Sequence, residues 1–278
     1  MTSIPATNPR PIAASVAAVD MDDTLLASGG TLSARTLAAV EAWLASGRRL
    51  VIATGRPPRS IGEHLPAMLH DVPWICYNGA EIRLRGEVIY QNYIGEHTLG
   101  PLVDHVLAHS PETVIGIELD DSLWLNRQRE GQARVNPHYH VVDLRTVYHR
   151  PTPKVLFFSE RLGEVQALVE PLPAGVRLMG SGRFPFFQLM AQGADKSTAL
   201  GHLMAEWQVP LAQVVAFGDD INDVDLLRVA GLGVAMANAY PAALEAADYI
   251  TAHHDEDGVA LVLEEILAQA RVESSAVP

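Results

Sequence analysis

Residues 15–24 read SVAAVDMDDT, an apolar run that ends abruptly in three carboxylates. The run at 15–19 has the length and the small and β-branched composition of a buried strand. In open α/β sheets, ligands bind outside the carboxyl ends of such strands. The stretch therefore predicts a parallel sheet with a candidate site at Asp20 and Asp22.

The same alternation of strands and helices extends to both sides of this stretch. A helix is predicted from Ser33 to Ser46, and RLVIA at 49–53 reads as the next strand. Near the other end, a helix over Lys196 to Trp207 is followed by the strand VVAF at 214–217. We therefore predict an α/β fold with a doubly wound, mainly parallel, Rossmann-like core sheet.

Between these two parts the pattern changes. EIRLRGEVIYQNY at 81–93 reads as a hairpin, after which short strands and helices alternate. This indicates an inserted α+β cap domain. The predicted organisation is a flexible extension at 1–12, a core at 13–80 and 191–271, a cap at 81–190 and a flexible tail at 272–278.

Composition and charge restrict the class of partner. The 278 residues carry a net charge of -13, which disfavours nucleic acid and anionic membranes as partners. The N-terminus MTSIPATNPRPIAAS lacks the features of a signal peptide, and no stretch approaches the roughly 20 apolar residues of a membrane span. Cys76 is the only cysteine, which excludes an intramolecular disulfide. We expect a cytoplasmic monomer or homodimer that acts on a small molecule.

The carboxylates at the end of the first strand suit phosphoryl chemistry. Asp20 can attack phosphorus if a cation holds part of its charge, and Asp22 can hold a proton for the leaving oxygen. A second acidic group, GDDIND at 218–223, again follows an apolar strand. Its Asp219, Asp223 and Asn222 offer oxygen atoms of the kind that Mg²⁺ prefers.

Two further pieces suit a phosphate ligand. Thr54 ends the second strand within ATGR, and Lys196 begins a predicted helix, so a hydroxyl and an ammonium are available. Arg56 could reach phosphate or pair with a nearby carboxylate. Each piece alone is equally explained as a turn or helix-cap residue. All of them fall at strand exits or an adjoining helix start, which favours one pocket.

In this order, the four pieces resemble the motifs of the haloacid dehalogenase superfamily. NGA at 78–80, DEDGVA at 255–260 and the insert between the second and third motifs resemble its Cof-type branch, subfamily IIB, in particular. One departure is Asp23, where this branch usually carries glycine. The resemblance covers nearly the whole chain.

The resemblance implies a Mg²⁺-dependent phosphatase that hydrolyses a small phosphorylated metabolite, such as a sugar phosphate, through an aspartyl-phosphate. Asp20 would be the nucleophile and a metal ligand, and Asp22 the general acid and base with its backbone carbonyl on the metal. Asp219 would bind the metal, and Asp223 would do so directly or through water. The groups implied at the substrate phosphate are those of Thr54, Gly55, Arg56, Asn78, Lys196 and Asn222.

Two other functions stay open at this point. A sugar phosphomutase could use a similar site and return the phosphate to a sugar. A noncatalytic regulator could bind a phosphorylated metabolite on the same fold, although the intact acidic set argues against it. The histidine pair at 253–254 has no cysteine or carboxylate pattern at zinc spacing, so we expect no zinc site there.

Overall fold

The computed structural model describes residues 13–128, 137–180 and 186–275, and the predicted extension at 1–12 lies outside them. The chain divides into two compact units. The first comprises residues 13–56, 60–88 and 195–275, and the second comprises residues 57–59 and the described part of 89–194.

The elements of both units follow in chain order. The strands are β1 (Val16–Val19), β2 (Arg49–Ala53), β3 (Trp74–Cys76), β4 (Glu81–Leu84), β5 (Glu87–Gln91), β6 (Val114–Leu119), β7 (Ser122–Leu125), β8 (Tyr139–Val141), β9 (Val155–Phe158), β10 (Val176–Gly180), β11 (Phe186–Ala191), β12 (Val214–Gly218), β13 (Leu232–Ala235) and β14 (Tyr249–Ile250). The helices are α1 (Ala34–Ala45), α2 (Pro58–Ile61), α3 (Gly100–His109), α4 (Leu162–Val169), α5 (Lys196–Trp207), α6 (Val224–Val229), α7 (Pro241–Ala246) and α8 (Gly258–Ser275).

The sheet of the first unit is mainly parallel and has the strand order β14-β13-β12-β1-β2-β3-β4-β5. Strand β1 lies between β12 and β2, with Ala17 opposite Val215 on one side and Leu50 on the other. All four residues of β1 are fully buried, which explains why the strand is a continuous apolar run. The predicted α/β class with a doubly wound core is confirmed.

Helix α1 has a side-chain cap at its start and one buried face. Ser33 caps the helix, since its hydroxyl accepts a hydrogen bond from Thr36 N at 3.0 Å. The buried residues Val40 and Trp43 lie one turn apart on the same face. Helix α1 packs against α8.

The two units divide the chain at different residues from those predicted for the core and the cap. The hairpin β4–β5 extends the sheet of the first unit, because β4 pairs antiparallel with β3, Ile75 opposite Ile82. The division falls after Val88, within β5, and after Ala194, whereas the predicted cap spans 81–190. Helix α8 continues to Ser275, so part of the predicted tail at 272–278 is helical, and 276–278 lie outside the described residues.

The second unit is the predicted α+β insert. Its sheet has the order β10-β11-β9-β6-β7-β8 and is antiparallel except for the pairing of β7 with β8. Helices α3 and α4 pack against each other. The edge strands β8 and β10 were not predicted, because edge strands are half solvated and lack a clear apolar alternation.

A buried ion cluster lies in the second unit and includes Arg59 of α2 and Glu118 of β6. The guanidinium of Arg59 pairs with both carboxylate oxygens of Glu118, at 2.7 and 2.9 Å. Lys154 is buried beside this pair, and desolvation lowers the pKa of its ammonium to about 8, although Glu118 acts in the opposite direction.

In the described part of the chain, no helix is long and apolar enough to cross a membrane.

Candidate active site

Asp20 lies at the carboxyl end of β1, where the sequence places it. Its backbone N–H donates to Phe217 O at 3.0 Å, which continues the β1–β12 pairing by one residue and fixes the start of the next segment. The side chain is buried, and this desolvation raises the pKa of Asp20 well above its ordinary value. Lys196 acts to lower that pKa, whereas Asp223 and Asp219 raise it further.

Lys196 is the first residue of α5, and its ammonium lies between two carboxylates. Nζ donates to Asp20 Oδ1 at 2.5 Å and to Asp223 Oδ1 at 2.7 Å. Burial acts to lower the pKa of Lys196, but the charges of Asp20 and Asp223 outweigh it and the pKa is raised. The ammonium therefore stays charged. Asp195 caps the helix by accepting from Thr198 N, which holds Lys196 at the helix start.

The second acidic group follows β12. Asp223 is fully buried, and its Oδ2 accepts from the backbone N–H of Asp219 and of Asp220, both at 3.1 Å. A side chain at Gly218 would lie 2.4 Å from the Cβ of Asp223, so only glycine fits there. Asp220 caps the following turn by accepting a hydrogen bond from Ile221 N.

Asp20, Asp219 and Asp223 each offer a carboxylate oxygen, and these oxygens all lie within 4.8 Å of one another. All three side chains are buried, and negative charge in this set exceeds the positive charge of Lys196. Buried charges that are not balanced are unfavourable. The residues fit a hard divalent cation, which prefers oxygen ligands. The positive charge of a bound cation would lower the pKa of Asp20.

The predicted phosphate-binding residues come together at the ends of β2 and β3. Thr54 is buried at the end of β2, and its hydroxyl accepts from Arg56 N at 3.1 Å. Asn222 Nδ2 donates to Asn78 Oδ1 at 2.9 Å. A Cβ at Gly55 would lie 2.8 Å from Asn78 Oδ1, so glycine permits this approach. Within the described residues, Asn222 Oδ1 is buried without a hydrogen-bond partner.

The carboxylate of Asp22 is directed to a different partner from that of Asp20. It forms a two-point ion pair with Arg56, with Nε–Oδ2 at 2.7 Å and Nη2–Oδ1 at 2.5 Å. Arg56 also donates to Ser60 Oγ at 3.0 Å. Of the two alternatives for Arg56, this structure contains the pairing with a carboxylate.

Asp23 adopts a backbone conformation that favours glycine. Its φ is 53°, in the left-handed region, which aspartate tolerates better than most side chains. This explains how Asp23 stands where the Cof-type branch usually carries glycine. Its carbonyl accepts from Asn238 Nδ2 at 2.8 Å.

Sequence reasoning missed several residues around the site. Thr24 is buried and donates to Asp219 Oδ1 at 3.1 Å, and its place within DMDDT could have suggested such a role. Asn238 follows β13 at the same kind of strand exit that marked the other site residues. Ser28 carried no signal, because it is an ordinary turn residue in the sequence, whereas Asp255 begins the DEDGVA motif but was given no role.

Comparison with known proteins identifies the family of this chain. A family model of haloacid dehalogenase-like hydrolases matches residues 17–263. The chain belongs to that family. It is 28% identical to the 5-amino-6-(5-phospho-D-ribitylamino)uracil phosphatase YitU of Bacillus subtilis, over 89% of this chain and 96% of the relative. These matches confirm the predicted family and support a phosphatase.

Solved structures agree with this assignment. BT1666 from Bacteroides thetaiotaomicron, described among the phosphatases of the superfamily, is 28% identical and has a TM-score of 0.78 over 94% of this chain and 98% of its own. The subclass IIB sugar phosphatase BT4131 has the same fold, with a TM-score of 0.75 at 23% identity, over 90% of this chain and 98% of its own. The predicted Cof-type branch is confirmed at the level of fold. Haloacid dehalogenase-like hydrolases generally use a divalent metal, and the buried acidic set is consistent with one.

Proposed function

We propose that this haloacid dehalogenase-like hydrolase is a Mg²⁺-dependent phosphatase that acts on a small phosphorylated metabolite through an aspartyl-phosphate on Asp20. The observation that carries the proposal is the buried set of Asp20, Asp219 and Asp223 around the ammonium of Lys196. Such a set combines a nucleophilic carboxylate with the charges that phosphoryl transfer requires.

The ligands of the proposed Mg²⁺ are the carboxylates of Asp20 and Asp219 and the backbone carbonyl of Asp22. When bound, the ion neutralises charge on the phosphoryl oxygens. Both oxygens of Asp223 already accept hydrogen bonds, Oδ1 from Lys196 and Oδ2 from the backbone. This favours support of the metal by Asp223 through water and through its hold on Lys196.

The chain's own residues perform the two steps as follows. Lys196 and Thr54 bind the phosphoryl oxygens, with Asn78 and Asn222 beside them. Asp20 attacks phosphorus in line, the bond from phosphorus to the ester oxygen breaks, and Asp22 gives its proton to that oxygen. Asp22 then takes a proton from water as the water attacks the aspartyl-phosphate, which releases inorganic phosphate and restores Asp20.

The ion pair between Asp22 and Arg56 has a consequence for this mechanism. A carboxylate held at both oxygens by a guanidinium cannot deliver a proton to a leaving group. Arg56 must therefore release Asp22 during turnover. The substrate phosphate, which Gly55 and Arg56 are proposed to contact, supplies an alternative partner for the guanidinium.

The proposed substrate class is a phosphate monoester of a sugar or sugar alcohol. YitU is named for a phosphorylated ribitylamino compound, and BT4131 is named as a sugar phosphatase. Both names describe a phosphate on a polyhydroxylated carbon chain. The acidic net charge of -13 and the lack of a basic patch in the sequence favour a small substrate over a nucleic acid.

The test is phosphate release from a panel of sugar, sugar-alcohol and nucleotide monoesters, measured with Mg²⁺ and with EDTA. Asp20→Asn should abolish release, since an amide is a poor nucleophile. Asp225→Asn, an exposed aspartate on α6, is the matched control and should retain activity. Release that persists in EDTA or in Asp20→Asn would refute the proposed mechanism, and bisphosphate-dependent isomerisation without release would indicate the mutase.

A further inference from the structure

The segment at residues 20–33 joins β1 to α1 and carries both Asp20 and Asp22. The side chain of Asp22 is about half exposed, so its position depends on how the backbone around it is held. The turn at residues 253–258, which contains most of the DEDGVA motif, contacts this segment and the first turn of α1. No role for that motif follows from the phosphoryl-transfer residues alone.

The first contact is at Ser28. Asp255 Oδ1 accepts from Ser28 N at 2.8 Å, and Asp255 Oδ2 accepts from Ser28 Oγ at 2.6 Å. These hydrogen bonds lower the pKa of Asp255, so the carboxylate is ionised and the bonds are charge-assisted. His254 Nε2 lies 3.0 Å from the same hydroxyl.

The second contact is next to Asp22 itself. Asn238 Nδ2 donates to the carbonyl of Asp23, and Asn238 Oδ1 accepts from His254 N at 3.1 Å. Asn238 therefore connects the turn at 253–258 to the backbone of Asp23, the residue after Asp22. This is the residue with φ of 53°, a conformation that needs support from its surroundings.

The third contact is at the start of α1. Asp257 accepts hydrogen bonds from the hydroxyls of Ser33, the helix cap, and Thr36. A side chain at Gly258 would lie 2.3 Å from Ala252 O, so the turn is packed closely where α8 begins. This close packing fixes the position of the turn that contacts the segment at residues 20–33.

We propose that Asn238, Asp255 and Asp257 form a clasp whose function is to position Asp22 for proton transfer. The inference rests on the proposed function, because it assigns these residues to the general acid of that reaction. Displacement of a catalytic group by about 1 Å can reduce a rate by about 100-fold. The clasp binds the segment at Asp23, Ser28 and Ser33, which follow Asp22 in the chain, and so limits such displacement.

The test uses two esters that differ in leaving group. An alkyl phosphate such as glycerol 3-phosphate needs a proton on its leaving oxygen, whereas p-nitrophenyl phosphate has a stable leaving anion and needs it far less. Asp255→Ala should lower kcat/KM for the alkyl ester by about tenfold or more and that for p-nitrophenyl phosphate by much less. Asp255→Asn, whose amide can still bond to Ser28, should restore most of the activity. Glu256→Ala, an exposed neighbour in the same turn, is the control.

Equal losses on the two esters, or no loss on either, would overturn the inference. Asn238→Ala is a second variant with the same expected discrimination, in case Asp255→Ala does not fold. Hydrogen exchange at the amides of residues 21–28 is a readout that needs no turnover. If the unmodified protein released phosphate from neither these esters nor any member of the panel, the proposed function would fail, while faster exchange in Asp255→Ala would still support the clasp and unchanged exchange would refute it.

Discussion

Two buried lysines, one in each unit, have pKa shifts of opposite sign. Lys196 lies between Asp20 and Asp223, and the two carboxylates raise the pKa of its ammonium in spite of desolvation. Lys154 lies beside Glu118, but Arg59 already occupies both oxygens of that carboxylate, and the pKa of Lys154 falls to about 8. Burial lowers the pKa of both lysines, and only at Lys196 do the neighbouring carboxylates outweigh it.

The two clusters therefore differ in the charges that surround the lysine. The cluster at Lys196 has more negative than positive charge, as expected of a site that receives a cation and a phosphate. The cluster at Lys154 has two cations beside Glu118, with Asp121 3.5 Å from Arg59. Among the described residues, Glu118 and Asp121 are the carboxylates paired with Arg59 there.

The largest difference should be in activity. Lys196→Met should lower kcat/KM for a sugar phosphate by about 10²- to 10³-fold, because the charge that faces the phosphoryl oxygens is lost. Lys154→Met should change the same quantity far less, since Lys154 lies among none of the proposed phosphoryl-transfer groups. Steady-state phosphate release measures both. Similar losses in the two variants would contradict the predicted difference between the two lysines.

Stability should separate the same two variants. In the absence of metal, Lys196→Met leaves buried carboxylates without their ammonium and should reduce the free energy of unfolding by about 3 kcal/mol or more. Lys154→Met leaves the Arg59–Glu118 pair intact and should be close to neutral. Urea unfolding at pH 7 in EDTA tests this. A larger loss in Lys154→Met would indicate that the second cluster depends on its lysine.

Metal should stabilise only the first cluster. Mg²⁺ at about 100 times its dissociation constant should raise the free energy of unfolding by about 2.7 kcal/mol. Asp219→Asn should abolish this gain, whereas Glu118→Gln, a change in the second cluster, should leave it in place. Thermal unfolding with and without Mg²⁺ provides the measurement. A gain that survives in Asp219→Asn would place the metal elsewhere.

The smallest effect should be a pH dependence that comes from Lys154. Its pKa of about 8 in the folded protein lies below its ordinary value, so between these values the unfolded chain binds more protons than the folded one. Stability should therefore rise with pH through this range, by about 1 kcal/mol between pH 7 and 9. Lys154→Met should flatten the rise. An unchanged profile in that variant would assign the rise to other groups.

Much of the fold could be predicted because burial leaves a local pattern. The apolar run at 15–19 and the helix over Lys196 to Trp207 correspond to β1 and α5 with nearly the same bounds. The hairpin β4–β5 was predicted as an element of the cap, whereas its strands extend the sheet that contains β1. Its strands look the same in sequence whichever sheet they join, because only the hydrogen bonds between β3 and β4 decide the partner.

For the candidate site, the sequence by itself determined which chemical groups are present and at which edge of the sheet they lie. Asp20, Thr54 and Asp219 each follow a strand, and parallel strands bring their carboxyl ends together. Only the tertiary structure decided the partner of each group: Asp22 pairs with Arg56, and Asp223 with Lys196 and the backbone. It also brought Asp255 to Ser28, which is 227 residues away in the chain. Hydrogen bonds and ion pairs depend on distances of a few ångströms, and such distances between remote residues are set by packing and leave no local pattern.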